Sequence, residues 1–78
     1  MVAPEEGAIG VDGTIEWRDA EGRLDRPDGP ACVYVNGTEK WYREGLRHRD
    51  KGPAAIYPNG RRVWSIDGQK VREERPPR

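Results

Sequence analysis

Several residue types that build small globular cores or special sites are scarce in this chain of 78 residues. It has no Phe, one Met, two Leu, one Cys and one His, and its longest apolar run is the five residues 31–35. A single Cys excludes an intrachain disulfide, and with one His it cannot complete a four-ligand zinc site. The N-terminus has no basic segment followed by an apolar one, so neither a signal peptide nor a membrane span is predicted. We expect a cytoplasmic chain without a metal or a cofactor.

Charge is plentiful and unevenly distributed. The chain has 14 basic and 14 acidic side chains, yet residues 1–39 sum to −6 and residues 40–78 to +6. A zero net charge argues against disorder, although the aliphatic content is low. The core must then come from three Trp, three Tyr and a few β-branched residues, and a single domain over residues 1–72 is the most that this length supports.

A 23-residue period organises the sequence. It maps residues 26–31 (RPDGPA) onto 49–54 (RDKGPA) and Trp41 onto Trp64, and a weaker copy precedes both. One residue is inserted in this first copy, between Trp17 and Gly22. The copies span residues 7–22, 30–45 and 53–68, and the tail 73–78, which ends in Pro-Pro-Arg, is expected to fray.

Each copy predicts a β-hairpin, because Asp-Gly or Asn-Gly stands between two alternating runs. We expect two-residue type I′ turns, which would place Cys32 opposite Trp41. Gly-Pro pairs in the linkers exclude helix. The predicted fold is therefore all-β: an antiparallel meander of three tandem β-hairpins of about 23 residues, with no helix.

The three tryptophans are interpreted as core, since each would face a small residue across its hairpin. The alternative is an exposed aromatic platform for a ligand. The same register puts Tyr34 and Tyr57 on the tryptophan side of the sheet and Tyr42 on the other side, where it is a candidate surface anchor.

Arg26, Arg49 and Arg72 recur with the same period. A row of guanidinium groups would suit phosphate or carboxylate groups of a partner. The alternative is structural: each Arg would stack on a Trp or bond the carbonyls of a Gly-Pro linker and so fix the join between copies.

Side chains for catalysis are not repeated. His48 aligns with Val71, and Cys32 aligns with Ala55. The chain has one Ser and no Gly-rich phosphate loop. We therefore assign no catalytic residue and predict no enzyme.

The basic C-terminal half is the predicted binding surface. Its acidic counterpart would repel phosphate, so sequence-specific nucleic acid is not expected, and a protein partner with an acidic surface is favoured. Opposed end charges also favour a homo-oligomer. Besides the three periodic arginines, the candidate binding residues are Tyr42, Arg43, Arg47, His48, Arg61 and Arg62.

Two segments carry a family resemblance: residues 29–49 (GPACVYVNGTEKWYREGLRHR) and 52–72 (GPAAIYPNGRRVWSIDGQKVR). Their Gly-Pro-Ala, Asn-Gly, Trp and His-Arg pattern resembles a variant of the MORN repeat, of the kind found in small bacterial and bacteriophage proteins. The resemblance implies short hairpins arranged as a binding sheet and carries over no catalytic residue.

The sequence supports three hypotheses. The first is a non-catalytic module that binds or inhibits a protein. The second is an oligomer that sequesters an anionic nucleotide between Arg and aromatic side chains, a role that would suit a bacteriophage counter-defence protein. The third is a structural, oligomer-forming element. Trp and Arg converging on one cleft would favour the nucleotide, whereas buried Trp beneath solvated Arg would favour the protein.

Overall fold

The structure, a computed structural model, describes residues 7–77 as short antiparallel strands. The strands are β1 (Ala8–Ile9), β2 (Ile15–Glu16), β3 (Cys32–Val33), β4 (Glu39–Lys40), β5 (Tyr42–Arg43), β6 (Leu46–Arg47), β7 (Ala55–Ile56), β8 (Arg62–Ile66) and β9 (Gln69–Glu74). The all-β prediction is confirmed, and residues 7–77 contain no helix. Seven strands form one sheet in the order β1-β2-β3-β4-β7-β8-β9, and β5 and β6 form a separate ladder.

The pairing register defines the two faces of the main sheet, because directly opposed residues share a face and successive residues alternate. We call one face the cysteine face, after Cys32, and the other the tryptophan face. The tryptophans belong to the second face because each follows a residue of the cysteine face (Glu16, Lys40 or Val63) by one position. The cysteine face carries the row Ala8, Glu16, Cys32, Lys40, Ala55, Val63 and Glu73. The tryptophan face carries the row Ile9, Ile15, Val33, Glu39, Ile56, Arg62 and Glu74.

The hairpin turns are where the sequence predicted them, but their type is different. The Gly37 N–H donates to Tyr34 O (2.9 Å) and the Tyr34 N–H to Thr38 O (2.9 Å). Gly37 has φ 94°, whereas Asn36 does not have a positive φ. This is a three-residue loop with glycine in a bulge position, not a type I′ turn. The Asn36 side chain favours it by accepting the Thr38 N–H at 2.9 Å.

The same arrangement recurs at Asp12-Gly13 and at Asn59-Gly60. Both glycines have positive φ, and each preceding side chain accepts the N–H two residues later at 2.9 Å. In the first of these turns, hydrogen bonds from the backbone and side chain of Thr14 lower the pKa of Asp12. One glycine at positive φ per turn therefore suffices for this geometry.

The changed turn shifts each hairpin register by one residue. Cys32 faces Lys40 rather than Trp41, and Ala55 faces Val63 rather than Trp64. The partners predicted for the tryptophans are therefore wrong by one residue, but the expectation of a small opposite residue holds. Continuing the same registers by one residue places Ala31 opposite Trp41 and Ala54 opposite Trp64. A one-residue shift also exchanges faces, so Tyr34 and Tyr57 lie on the cysteine face and not with the tryptophans.

Type I′ turns do occur at the opposite end of the hairpins. Glu44 and Gly45 have φ of 52° and 83°, and Asp67 and Gly68 have φ of 49° and 88°. The tight turn predicted at Asp67-Gly68 is thus confirmed. In the first hairpin the inserted residue is absorbed by a three-residue loop that ends at Gly22, whose N–H donates to Asp19 O at 3.0 Å.

The buried core consists of small side chains. Among the described residues, the buried apolar ones are Ala31, Cys32, Ala54, Ala55 and Val63. All three tryptophans are half-buried, so the prediction that they form the core holds in part. The described chain measures 45 × 26 × 16 Å, and in a body this thin large rings keep part of their surface accessible.

Strand β9 closes one edge of the sheet. Glu73 of β9 pairs with Val63 of β8, just as Ala55 of β7 pairs with Lys40 of β4. β9 therefore has the position that the first strand of a further hairpin would have. A bulge between Trp64 and Ser65 leaves Val71 without a paired residue. Bulges and charged side chains are common on edge strands, where they discourage pairing with other chains. β9 also includes the first two residues of the tail segment, Glu73 and Glu74.

Candidate binding surfaces

Two of the periodic arginines stack on tryptophans. The Cζ atom of Arg26 lies 3.8 Å from the ring centroid of Trp17, and that of Arg49 lies 4.0 Å from Trp41. Each guanidinium also donates through Nη1 to the carbonyl of a linker proline, Pro30 at 3.1 Å or Pro53 at 3.0 Å. The structural alternative offered by the sequence, stacking and linker bonding, is therefore observed in both.

The linker glycines complete these stacks. A Cβ added to Gly52 would lie 2.9 Å from Cζ of Arg49, and one added to Gly29 would lie 3.1 Å from Cζ of Arg26. Each guanidinium is thus held between an indole ring and glycine backbone. The motif Arg-x-x-Gly-Pro is explained by this packing.

Arg72 is placed differently. It lies 4.6 Å from the Trp64 centroid, but no Gly-Pro linker follows it, and it bonds the Glu74 carboxylate instead. Its side chain is 62% exposed, whereas Arg26 and Arg49 are half-buried. The third stack therefore lies open to solvent.

A groove of about 700 Å³ separates the two linkers. It brings together Arg26, Trp41 and Arg49 with Arg43 and Lys51. The two arginines of the stacks, Arg43 and Lys51 are four cations, and three carboxylates also line the groove. Its charge is therefore mixed. The other lining residues are Asp25, Pro27, Asp28, Gly29, Pro30, Tyr42, His48 and Asp50.

Most other predicted binding arginines are paired inside the chain. Arg43 contacts Asp67 at 3.3 Å. Arg61 contacts Glu73 at 2.7 Å, and Arg62 contacts Glu74 at 2.5 Å. Hydrogen bonds from Lys70 and Arg61 lower the pKa of Glu73 to about 2. The charge of +6 in the C-terminal half already includes these three carboxylates, so the excess positive charge belongs to other side chains.

His48 is 6% exposed and its ring is held on both sides. Nδ1 accepts the Asp67 N–H at 3.0 Å, and Nε2 lies 2.8 Å from Oδ1 of Asp50. The tautomer that satisfies both contacts carries its proton on Nε2. The ring thus links the second linker to the turn between β8 and β9.

A second cluster lies on the cysteine face, and we name it the tyrosine stripe: Tyr34, Lys40, Tyr42, Arg47 and Tyr57. Lys40 Nζ lies 5.0 Å from the Tyr34 centroid and 6.0 Å from the Tyr57 centroid. Arg47 lies 4.9 Å from the Tyr42 centroid and donates to its hydroxyl at 2.8 Å. Tyr42 and Arg47 were predicted as binding residues, whereas the sequence reasoning missed the other three.

Tyr34 connects the parts of this stripe. The Cys32 thiol beside its hydroxyl, together with burial, raises the pKa of Tyr34 to about 12. Through longer-range electrostatics, Tyr42 raises and Arg47 lowers the pKa of this hydroxyl to a smaller extent. The signal that could have placed Tyr34 and Tyr57 beside Lys40 is the hairpin register, which depends on the turn type.

Comparison with protein-family models finds no match for this chain, and comparisons with curated proteins and with solved structures find none either. Over residues 7–77, no three His, Cys, Asp or Glu side chains are grouped closely enough to hold a metal ion. In the same part of the chain, no helix has the length and apolar character needed to cross a membrane.

Proposed function

We propose that this chain is a non-catalytic binding module that engages a protein partner through an acidic surface of that partner. The observation that supports this most directly is a pair of cationic side chains without counter-charges. Lys40 and Arg47 are half-buried on the cysteine face, and neither makes an ion pair within the described chain, unlike Arg43, Arg61 and Arg62. A partner that brings carboxylates would supply the missing counter-charges.

We further propose that the three Asx-Gly hairpins are tandem copies of one MORN-like unit of about 23 residues. The shared turn geometry and the equivalent bonds Trp17 N–H to Ala31 O and Trp41 N–H to Ala54 O support this. The uneven charge of the two halves supports homo-oligomer formation, and the cytoplasm is the compartment proposed.

Zero-length carbodiimide coupling in the producing cells tests the protein-partner proposal, because it joins lysine amines to contacting carboxylates. The chain has three lysines. Lys70 serves as the internal control, since its amine lies 3.0 Å from Glu73 and should form a link within the chain. We expect Lys40 to be joined to Asp or Glu of a different protein. Recovery of the internal link and of links between copies of this chain, with no link to a different protein, would refute the protein-partner proposal.

The groove between the linkers supports a second candidate function, the sequestering of an anionic nucleotide. Trp41, Arg26 and Arg49 converge on it, and its volume is in the range of small-molecule sites. Native mass spectrometry of the chain purified from its producing cells should then show a retained mass of a few hundred daltons. Arg49→Ala should abolish that mass and Arg75→Ala should not. A bare chain from the same cells would exclude retention of this ligand.

A further inference from the structure

We infer that the tyrosine stripe is the docking surface for an acidic segment of the partner protein, with Lys40 and Arg47 as the two groups that pair with its carboxylates. This inference rests on the proposed function and assigns it to one face of the sheet. The stripe is defined above by Tyr34, Lys40, Tyr42, Arg47 and Tyr57.

Charge is the first argument. Lys40 stands in the middle of the sheet, directly between Cys32 and Ala55 in the register, so its strand neighbours on this face bring no carboxylate. Arg47 donates to the Tyr42 hydroxyl, and its Nε is buried without a hydrogen-bond partner in the described chain. A buried N–H of a cation that lacks a partner is unfavourable, and a carboxylate that drew the guanidinium toward it could relieve this.

The aromatic rings are the second argument. The cation–ring distances of 5.0, 6.0 and 4.9 Å show that tyrosines flank both cations. Ring faces stabilise cations without neutralising them, so the charge stays available to a partner. Tyrosine rings also provide contact area at a low cost in side-chain entropy.

The chain's own acidic half is a poorer occupant. Glu16 pairs with Arg18 at 3.0 Å, Asp19 pairs with Arg23 at 2.9 Å, and Asp25 accepts the Glu44 N–H at 2.9 Å. A second copy would have to break such contacts before it could pair with the stripe. A separate protein segment with unpaired carboxylates has no such cost.

The test measures binding of a short fluorescein-labelled peptide of Asp and Glu residues by fluorescence anisotropy. Its Asn and Gln counterpart controls for the peptide backbone. Lys40→Met removes the charge of Lys40 and keeps most of its aliphatic stem. Arg47→Gln removes the charge of Arg47, and Lys40→Arg keeps a positive charge at position 40. Arg75→Gln makes the same change in net charge at an 82% exposed side chain outside the stripe.

We expect Lys40→Met and Arg47→Gln each to weaken binding roughly tenfold, and Lys40→Arg and Arg75→Gln to bind like the wild type. Circular dichroism identifies a variant that does not fold, and the other charge-removing variant then carries the comparison with Arg75→Gln. Equal binding by wild type, Lys40→Met and Arg47→Gln would overturn the stripe and leave the proposed function standing.

Two further outcomes would overturn the inference, each for a different reason. If the wild type binds neither the acidic peptide nor a carbodiimide-linked acidic protein, the stripe and the proposed function both fail. If sedimentation shows that the wild type self-associates and Lys40→Met does not, the occupant is a second copy and the inference is overturned.

Discussion

Arg49 and Arg72 occupy the same position in the period but differ in their surroundings. Arg49 is stacked on Trp41 and bonds Pro53 O, whereas Arg72 has one side open to solvent and pairs with Glu74. The contribution of a guanidinium stack grows as water is excluded from it. The same residue type is therefore expected to stabilise the fold unequally at the two positions.

Replacing these arginines in turn tests this expectation. Arg49→Ala should lower the free energy of unfolding by about 2 kcal/mol, since a partly desolvated stack and a hydrogen bond are lost together. Arg72→Ala should lower it by less than about 1 kcal/mol, as for an exposed ion pair. Urea unfolding monitored by tryptophan fluorescence measures both. Equal losses would show that the linker contacts of Arg49 add nothing.

Glu73 predicts an acid-dependent stability. The pKa of its carboxyl is lowered from 4.5 to about 2 in the folded chain. Because the folded-state pKa is the lower one, the stabilisation is complete above about pH 4.5 and is lost as the pH falls toward 2. Thermal melts across that window should show a steeper fall in Tm for the wild type than for Glu73→Gln. Glu21→Gln, at a 72% exposed side chain, should retain the wild-type slope.

At the scale of elements, Glu44 is the residue with an avoidable backbone strain. Its φ of 52° lies in the left-handed region, which Asn tolerates better than Glu. Glu44→Asn should therefore raise the free energy of unfolding by about 0.5 to 1 kcal/mol, and it creates the Asn-Gly pair that type I′ turns favour. The measurement is a thermal melt against wild type.

Glu21 provides the matched control for this substitution. It lies in the corresponding loop of the first hairpin, but it does not have a positive φ. Glu21→Asn should leave Tm unchanged or lower it. A gain in Tm from both substitutions would mean that reduced negative charge, and not backbone relief at Glu44, stabilises the chain.

The turns also explain how far the sequence could predict this fold. Asx-Gly pairs located the hairpins, and the periodic arginines and tryptophans indicated the stacks. The same dipeptide is compatible with type I′ turns and with three-residue bulged loops, and hydrogen bonds such as that of Asn36 with the Thr38 N–H decide between them. That choice shifted the register by one residue and separated Tyr34 from the tryptophans, so the tyrosine stripe was not visible from residue spacing.

At the scale of the whole molecule, β9 is expected to protect the sheet. A chain ending at Gly68 would expose the β8 edge, which includes Val63, Trp64 and Ser65, and an uncovered edge strand is a template for aggregation. We expect that truncation to aggregate or to lose its β-type circular dichroism. A chain ending at Glu74 keeps β9 and should elute from size-exclusion chromatography as the full chain does. Normal folding of the shorter chain would show that β9 is dispensable.

The position of β9 determines how the sheet of such a protein can change in length. Because β9 pairs with β8 as β7 pairs with β4, the closing strand depends only on the hairpin next to it and not on how many come before. A gene that duplicated residues 30–52 would gain one hairpin, one linker and one Arg–Trp stack while both ends stayed as they are. The length of the sheet can thus change by one whole hairpin at a time.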